Sequence, residues 1–128
     1  MPDAIGQFAN AKHLSLETFR KTGVGVRTPV WFAQDPGRQP TTFYVYTLPD
    51  SGKAKRIRNN PRVRIAPCNI RGDLRGAWVD ARARICSVDE AAKGQSLLVH
   101  KYGLMKRIGD FFSRMRGRTQ IVLAIEIE

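Results

Sequence analysis

Two cysteines and two histidines in 128 residues leave little from which to build a disulfide framework or a metal centre. Cys68 and Cys86 lack the spacing of a redox or zinc motif, and neither has a histidine neighbour. His13 and His100 show neither H-x-x-x-H nor H-E-x-x-H spacing. A reducing compartment, the cytoplasm, is the expected location. Carboxylates are also scarce, and Asp35, Asp50 and Asp89 fall where turns or a helix start already explain them. No G-x-S-x-G elbow and no Walker loop is present. An enzyme made from these residues needs a bound cofactor to carry the reactive atom, the protein supplying orientation and electrostatics. Long apolar runs are missing too. The longest, Ile121 to Ile125, is far short of the roughly 20 residues that span a bilayer, and the first residues do not form the apolar core of a signal peptide.

What the chain has in excess is positive charge: 22 Lys+Arg against 11 Asp+Glu, a net +11. Such a field attracts nucleic acid, anionic lipid or a polyanionic small molecule. The charge gathers in two stretches. Lys53 to Arg75 holds eight basic residues and the single acid Asp73, and Lys101 to Arg118 holds six against Asp110. With 42% apolar and 26% charged residues, the length suits one globular domain, residues 1–128.

Alternation of apolar and polar residues predicts strands at His13–Phe19, at about Val24–Ala33 and at Thr42–Leu48. Further strands are expected around Val63 and Ile65, at Ala77–Cys86 and from Ile121 onward. Pro29 lacks an amide donor, so its strand is expected at an edge, at a bulge, or beside something other than a strand. Asp35-Pro36-Gly37 predicts a hairpin turn. Lys53–Asn59 reads as a short helix that Pro61 ends. Ser87-Val88-Asp89-Glu90 has the form of a capping box opening a helix through Tyr102, and Leu104–Met115 reads as a basic amphipathic helix stopped by Gly117. Six strands joined largely by hairpins favour a small closed antiparallel barrel with peripheral helices, since closure removes exposed edges.

One segment suggests a ligand. A glycine turn entering a helix at Ser51-Gly52-Lys53 presents free backbone amides, where the helix dipole favours an anion. Lys53 and Arg56 add full charges, and Thr47 and Ser51 add hydroxyl donors. This is the chemistry of a phosphate site, although an ordinary N-cap followed by a solvated basic helix has the same spacing.

The step from Thr47 through Ser51-x-Lys53 to Asn59-Asn60-Pro61-Arg62-Val63 resembles the split-barrel superfamily of pyridoxamine 5′-phosphate oxidase. It is most similar to the branch of small reductases that use the deazaflavin coenzyme F-420. Arg27-Thr28-Pro29-Val30-Trp31-Phe32, Gly52–Arg58, Pro61–Cys68 and Arg71–Trp78 carry the resemblance in order. It implies a six-stranded split β-barrel that pairs into a homodimer with cofactors in two grooves at the interface. Arg27, Thr28, Pro29, Val30 and Trp31 would lie beside the tricyclic ring, with Arg27 positioned to stabilise developing charge. Thr47, Ser51, Gly52, Lys53 and Arg56 would hold the phosphate, with Lys55 a further candidate. Gly52 stands where the oxidase has an arginine, and the C-terminal Arg-x-His element that recognises pyridoxal phosphate is missing, which disfavours vitamin B6 oxidation. The implied cofactor is F-420, with FMN as the alternative, and the implied reaction is hydride transfer to an unsaturated or quinone-like small molecule.

Two other classes remain open on sequence: a binding protein that carries a flavin, deazaflavin or tetrapyrrole without turnover, and a nucleic-acid-binding barrel. Against the latter, Phe43, Tyr44 and Tyr46 form no obvious base-stacking platform and no groove-reading helix stands out. Lys101–Arg118 reads as a solvated helix face rather than a membrane contact.

Overall fold

Alternation decides which way each strand faces. In the computed structural model, which describes residues 4–102 and 121–128, a short 3-10 helix (Gly6–Phe8), seven strands and two α-helices follow one another along the described residues. The strands and α-helices are β1 (His13–Phe19), β2 (Gly25–Trp31), β3 (Ala33–Asp35), β4 (Thr42–Thr47), α1 (Gly52–Asn59), β5 (Arg62–Cys68), β6 (Val79–Ile85), α2 (Val88–Tyr102) and β7 (Ile121–Ile127). The sequence-predicted helix at Leu104–Met115 lies outside the described residues. All strand pairs are antiparallel, in the order β2-β1-β5-β6-β7-β4-β3.

Every second residue points into one core: Leu14 and Leu16 from β1, Phe43 and Val45 from β4, Val63 and Ile65 from β5, and Leu123 and Ile125 from β7. The intervening residues of β4 and β7 (Tyr44, Val122 and Ala124) make a second cluster under α2 with Leu98 and Tyr102. These strands are buried on both faces, as a sheet covered by a helix requires.

The predicted second strand is broken, which makes the count seven rather than six. Its first part, β2, pairs with β1, with Glu17 opposite Arg27 and Leu14 opposite Val30. Its second part, β3, pairs with β4, with Ala33 opposite Tyr44. Phe32 lies between them, where the chain leaves one ladder for the next and its own backbone groups lose strand partners. Tyr102 replaces them. Its hydroxyl accepts the Phe32 N–H at 3.1 Å and lies 2.8 Å from the Phe32 carbonyl and 2.7 Å from the Lys12 carbonyl. At this crossing the sheet curls into a split barrel and not the closed one expected. Its two end strands, β2 and β3, do not pair with each other, and β2 keeps an edge that is unpaired among the described residues. Pro29 sits on that edge, where a missing amide leaves no ladder bond unmade.

The helix α2 begins with Ser87 accepting the Glu90 N–H at 3.3 Å, but Glu90 does not complete the predicted capping box. Its carboxylate instead turns to Arg84 and Arg38, tying the helix to β6 and to the loop after β3. Further along, α2 approaches the sheet through Gly94. A Cβ there would lie 2.9 Å from Val122 Cγ1 and 3.0 Å from the Tyr44 ring. Gly94→Val is therefore expected to lower stability by about 1–3 kcal/mol through overpacking, read as a lower urea midpoint. An unchanged midpoint would mean that α2 is not seated on Tyr44 in solution.

Candidate functional site

The unpaired edge of β2 and the end of β4 bound a cavity of about 400 Å³, within the roughly 300–1,000 Å³ usual for small-molecule sites. Seven of the eleven sequence-predicted site residues line it: Thr28, Pro29, Val30 and Trp31 from β2, and Thr47, Ser51 and Lys53 from the β4–α1 step. These two groups are brought together only because β2 and β4 converge where the barrel splits.

The β4–α1 corner follows from local chemistry. Ser51 has extended backbone angles and its hydroxyl accepts the Ala54 N–H at 3.2 Å, the N-cap arrangement. Thr47 Oγ1 lies 2.8 Å from Ser51 Oγ, locking the end of the strand to the start of the helix. Ala54 and Ile57 are buried beneath α1, and no acidic residue occupies its first turn. Lys53 is thereby carried to the cavity wall. Burial, reinforced by the Arg56 guanidinium, pushes its ammonium below the ordinary lysine value, and no carboxylate pairs with it among the described residues. A cation without a counter-ion, beside two hydroxyls and a helix start, is arranged to receive an anion.

The other wall is apolar and aromatic. Trp31 has its ring 6.2 Å from His13 and 6.1 Å from Tyr102, so it serves both the second core cluster and the cavity. His13, Tyr46, Leu48 and Ile70 complete the lining and were missed from sequence. Tyr46 and Leu48 flank Thr47 and were legible by adjacency. Ile70, an exposed apolar residue in a polar turn, was a usable signal, whereas nothing local marked His13.

Arg27, Gly52, Lys55 and Arg56 are not among the lining residues. Arg27 Nε donates to Glu17 Oε2 at 2.9 Å on the outer face of the sheet, and Arg64 Nε donates to Glu17 Oε1 at 2.6 Å. The two guanidinium carbons lie 4.8 and 4.9 Å from the Trp78 ring centroid. Burial raises the affinity of the Glu17 carboxyl for its proton, but the bonds from Arg64 and Arg27 outweigh it and hold the group below the ordinary range. Arg27 is thus committed to a cross-strand ion triad, and Trp78 covers that triad instead of joining the barrel core. Arg56 Nε donates to Thr18 Oγ1 at 2.6 Å. Its guanidinium lies across the first turn of α1, where a Cβ at Gly52 would come within 2.8 Å of Nη1. Gly52 makes room for that guanidinium. Lys55 is exposed. Cys68 and Cys86 are free thiols, both raised by burial, Cys86 to about 12, and therefore poor nucleophiles.

Comparisons with known proteins agree with this architecture. The chain matches the family model described as pyridoxamine 5′-phosphate oxidase over residues 1–127. No curated protein matches it. Among solved structures, HutZ, the heme storage protein of Vibrio cholerae, is 18% identical with a TM-score of 0.66, over 97% of this chain and 87% of that one. An FAD-binding protein of Mesorhizobium loti is 15% identical with a TM-score of 0.65, over 97% and 84%. A conserved hypothetical protein of Mycobacterium tuberculosis is 18% identical with a TM-score of 0.71, over 100% and 81%. At these identities the structures share the fold. With the match running through almost every residue and the barrel split where a ligand cavity opens, the chain belongs to the pyridoxamine 5′-phosphate oxidase family.

Proposed function

We propose that this protein is an oxidoreductase that binds coenzyme F-420 in the cavity between β2 and β4. The observation that carries the reading is Lys53: a half-buried ammonium at the cavity wall, lacking a carboxylate partner among the described residues and adjoined by Thr47 and Ser51. These residues fit a phosphoryl group, which would supply the missing negative charge and accept a hydrogen bond from the one hydroxyl proton that the Thr47–Ser51 pair leaves free. Trp31, Val30 and Pro29 offer the flat apolar wall that a planar heterocycle needs. Arg56, held on Thr18, supports the site through its field rather than by contact.

When bound, the deazaflavin ring would supply two-electron reduction of an unsaturated or quinone-like small molecule. The chain's residues bind it, orient it along the edge of β2 and shield one face from water. F-420 is preferred over FMN because its phosphodiester and polyglutamate tail are polyanionic, and α1 carries Lys53, Lys55, Arg56 and Arg58 without an acid. A monoanionic or dianionic phosphate needs fewer cations. Two copies of the chain are proposed to pair around the cofactors. Titration of F-420 and FMN separately, followed by fluorescence and absorbance, tests the choice. Tighter binding of F-420 is expected, and micromolar FMN affinity with none for F-420 would reverse it. Saturable binding without turnover on a panel of enones and quinones would reduce the protein to a carrier.

A further inference from the structure

A second cavity, of about 720 Å³, adjoins the first, and His13 and Ile70 line both. Its chemistry differs. The wall includes Lys12 and Arg75 and no Asp or Glu, and neither cation has a carboxylate partner among the described residues. The amide side chains beside them are largely spent on the fold. Gln7 exchanges two hydrogen bonds with the backbone of Ala77, both at 2.9 Å. The Asn69 oxygen accepts the N–H groups of Arg71 and Asp73, and its nitrogen donates to the Asp73 carboxylate. What remains for a ligand is the Asn10 amide and the exposed charges of Lys12 and Arg75 over an apolar floor that includes Pro67 and Ile70.

We propose that this second cavity is the substrate chamber of the same site and selects a small organic anion, its carboxylate balanced by Lys12 and Arg75. The inference rests on the reading of the first cavity as the cofactor site, since the shared wall at His13 and Ile70 would bring a substrate held in the second chamber up to the ring end of the first. Charge selection is the physical content: an uncharged analogue of the same shape loses the attraction that two unpaired cations provide.

The probe is 4-nitrobenzoate, with nitrobenzene as its neutral counterpart, titrated calorimetrically into the full chain. Lys12 and Arg75 are exposed, so their attraction is screened. At low ionic strength, binding of 4-nitrobenzoate is expected to weaken about threefold or more in Lys12→Gln/Arg75→Gln and to fall with added salt, while nitrobenzene is little affected. Lys53→Gln is expected to leave 4-nitrobenzoate affinity within twofold. Loss on Lys53→Gln with none on the double variant would put the anion in the first cavity and overturn the proposal, as would equal binding of both probes. Failure of F-420 and FMN to bind, with Lys12- and Arg75-dependent 4-nitrobenzoate binding intact, would sink the redox reading and leave an anion site. Cofactor binding without anion selection would do the reverse.

Discussion

Lys53→Ala is expected to weaken F-420 binding by roughly 10- to 150-fold, the equivalent of about 1.5–3 kcal/mol for a lost hydrogen bond to a charged group. The size follows from the position of the residue. At an exposed site a lysine–phosphate contact is screened and worth little, but this ammonium is half-buried and already depressed by desolvation and by Arg56. A bound anion relieves that penalty, and removing the amine forfeits the relief. The same physics predicts an opposite sign for stability. A lysine whose folded value lies below its unfolded one disfavours folding while charged, so Lys53→Met is expected to leave the unbound protein equally or more stable while damaging binding. Fluorescence titration and a urea melt on the same variant separate the two. Unchanged affinity would move the phosphate elsewhere. Weakened affinity together with a large loss of stability would mean that Lys53 builds the corner and does not bind the ligand.

Acid should act chiefly at the other end of the molecule. The Arg84 guanidinium, opposed by burial and helped by Arg38, holds the Glu90 carboxyl down to about 2 from its ordinary 4.5. Arg84 Nη2 lies 2.8 Å from Glu90 Oε2, and Arg84 also reaches Glu126 at 2.9 Å. A carboxyl lowered in the folded state contributes stability that is full above about pH 4.5 and is lost progressively as pH falls towards 2. The shift sets an upper bound of about 3 kcal/mol, and the partly exposed arginines reduce it to about 1–3 kcal/mol. Denaturant melts between pH 7 and pH 2.5 are expected to show this loss, and Glu90→Gln is expected to lower stability at pH 7 and to remove the Glu90 share of the pH dependence. The share of Glu17 and Asp35 remains, since their carboxyls are also held below the ordinary range, Glu17 against burial by Arg64 and Arg27 and Asp35 by Lys93. A variant as stable as the parent at neutral pH would mean that the Glu90 network does not hold α2 on the sheet.

The two predictions separate what local patterning reveals from what it conceals. The alternation in His13–Phe19 and Ile121–Ile127 reads directly as strands because every second residue enters one core, although both faces of β1 and β7 end up buried. Asp35-Pro36-Gly37 marks the β3–β4 hairpin because proline and glycine suit a turn and the Asp35 carboxylate accepts the Gly37 N–H. Ser51 capping α1 was equally legible, since its hydroxyl bonds an amide three residues on. Glu90 was misread for an instructive reason. A capping glutamate needs only its own helix, whereas Arg84 and Arg38 lie 6 and 52 positions away and offer a stronger, charged partner.

The same division runs through the site. Composition and spacing by themselves marked the strand-rich class, the cationic helix start and the candidate anion ligands Thr47, Ser51, Lys53 and Arg56, because each depends on neighbours within a few residues. That Arg56 would be held on Thr18 instead was decided by the fold. Only the folded barrel decided that Pro29 would face open space, that Arg27 would be taken by Glu17, and that His13 and Ile70 would stand between two cavities. Those outcomes depend on which strand edges stay unpaired after the sheet curls. The chain passes from one end of the curled sheet to the other at Phe32, whose backbone is held by Tyr102 across 70 residues, a contact that no local pattern encodes.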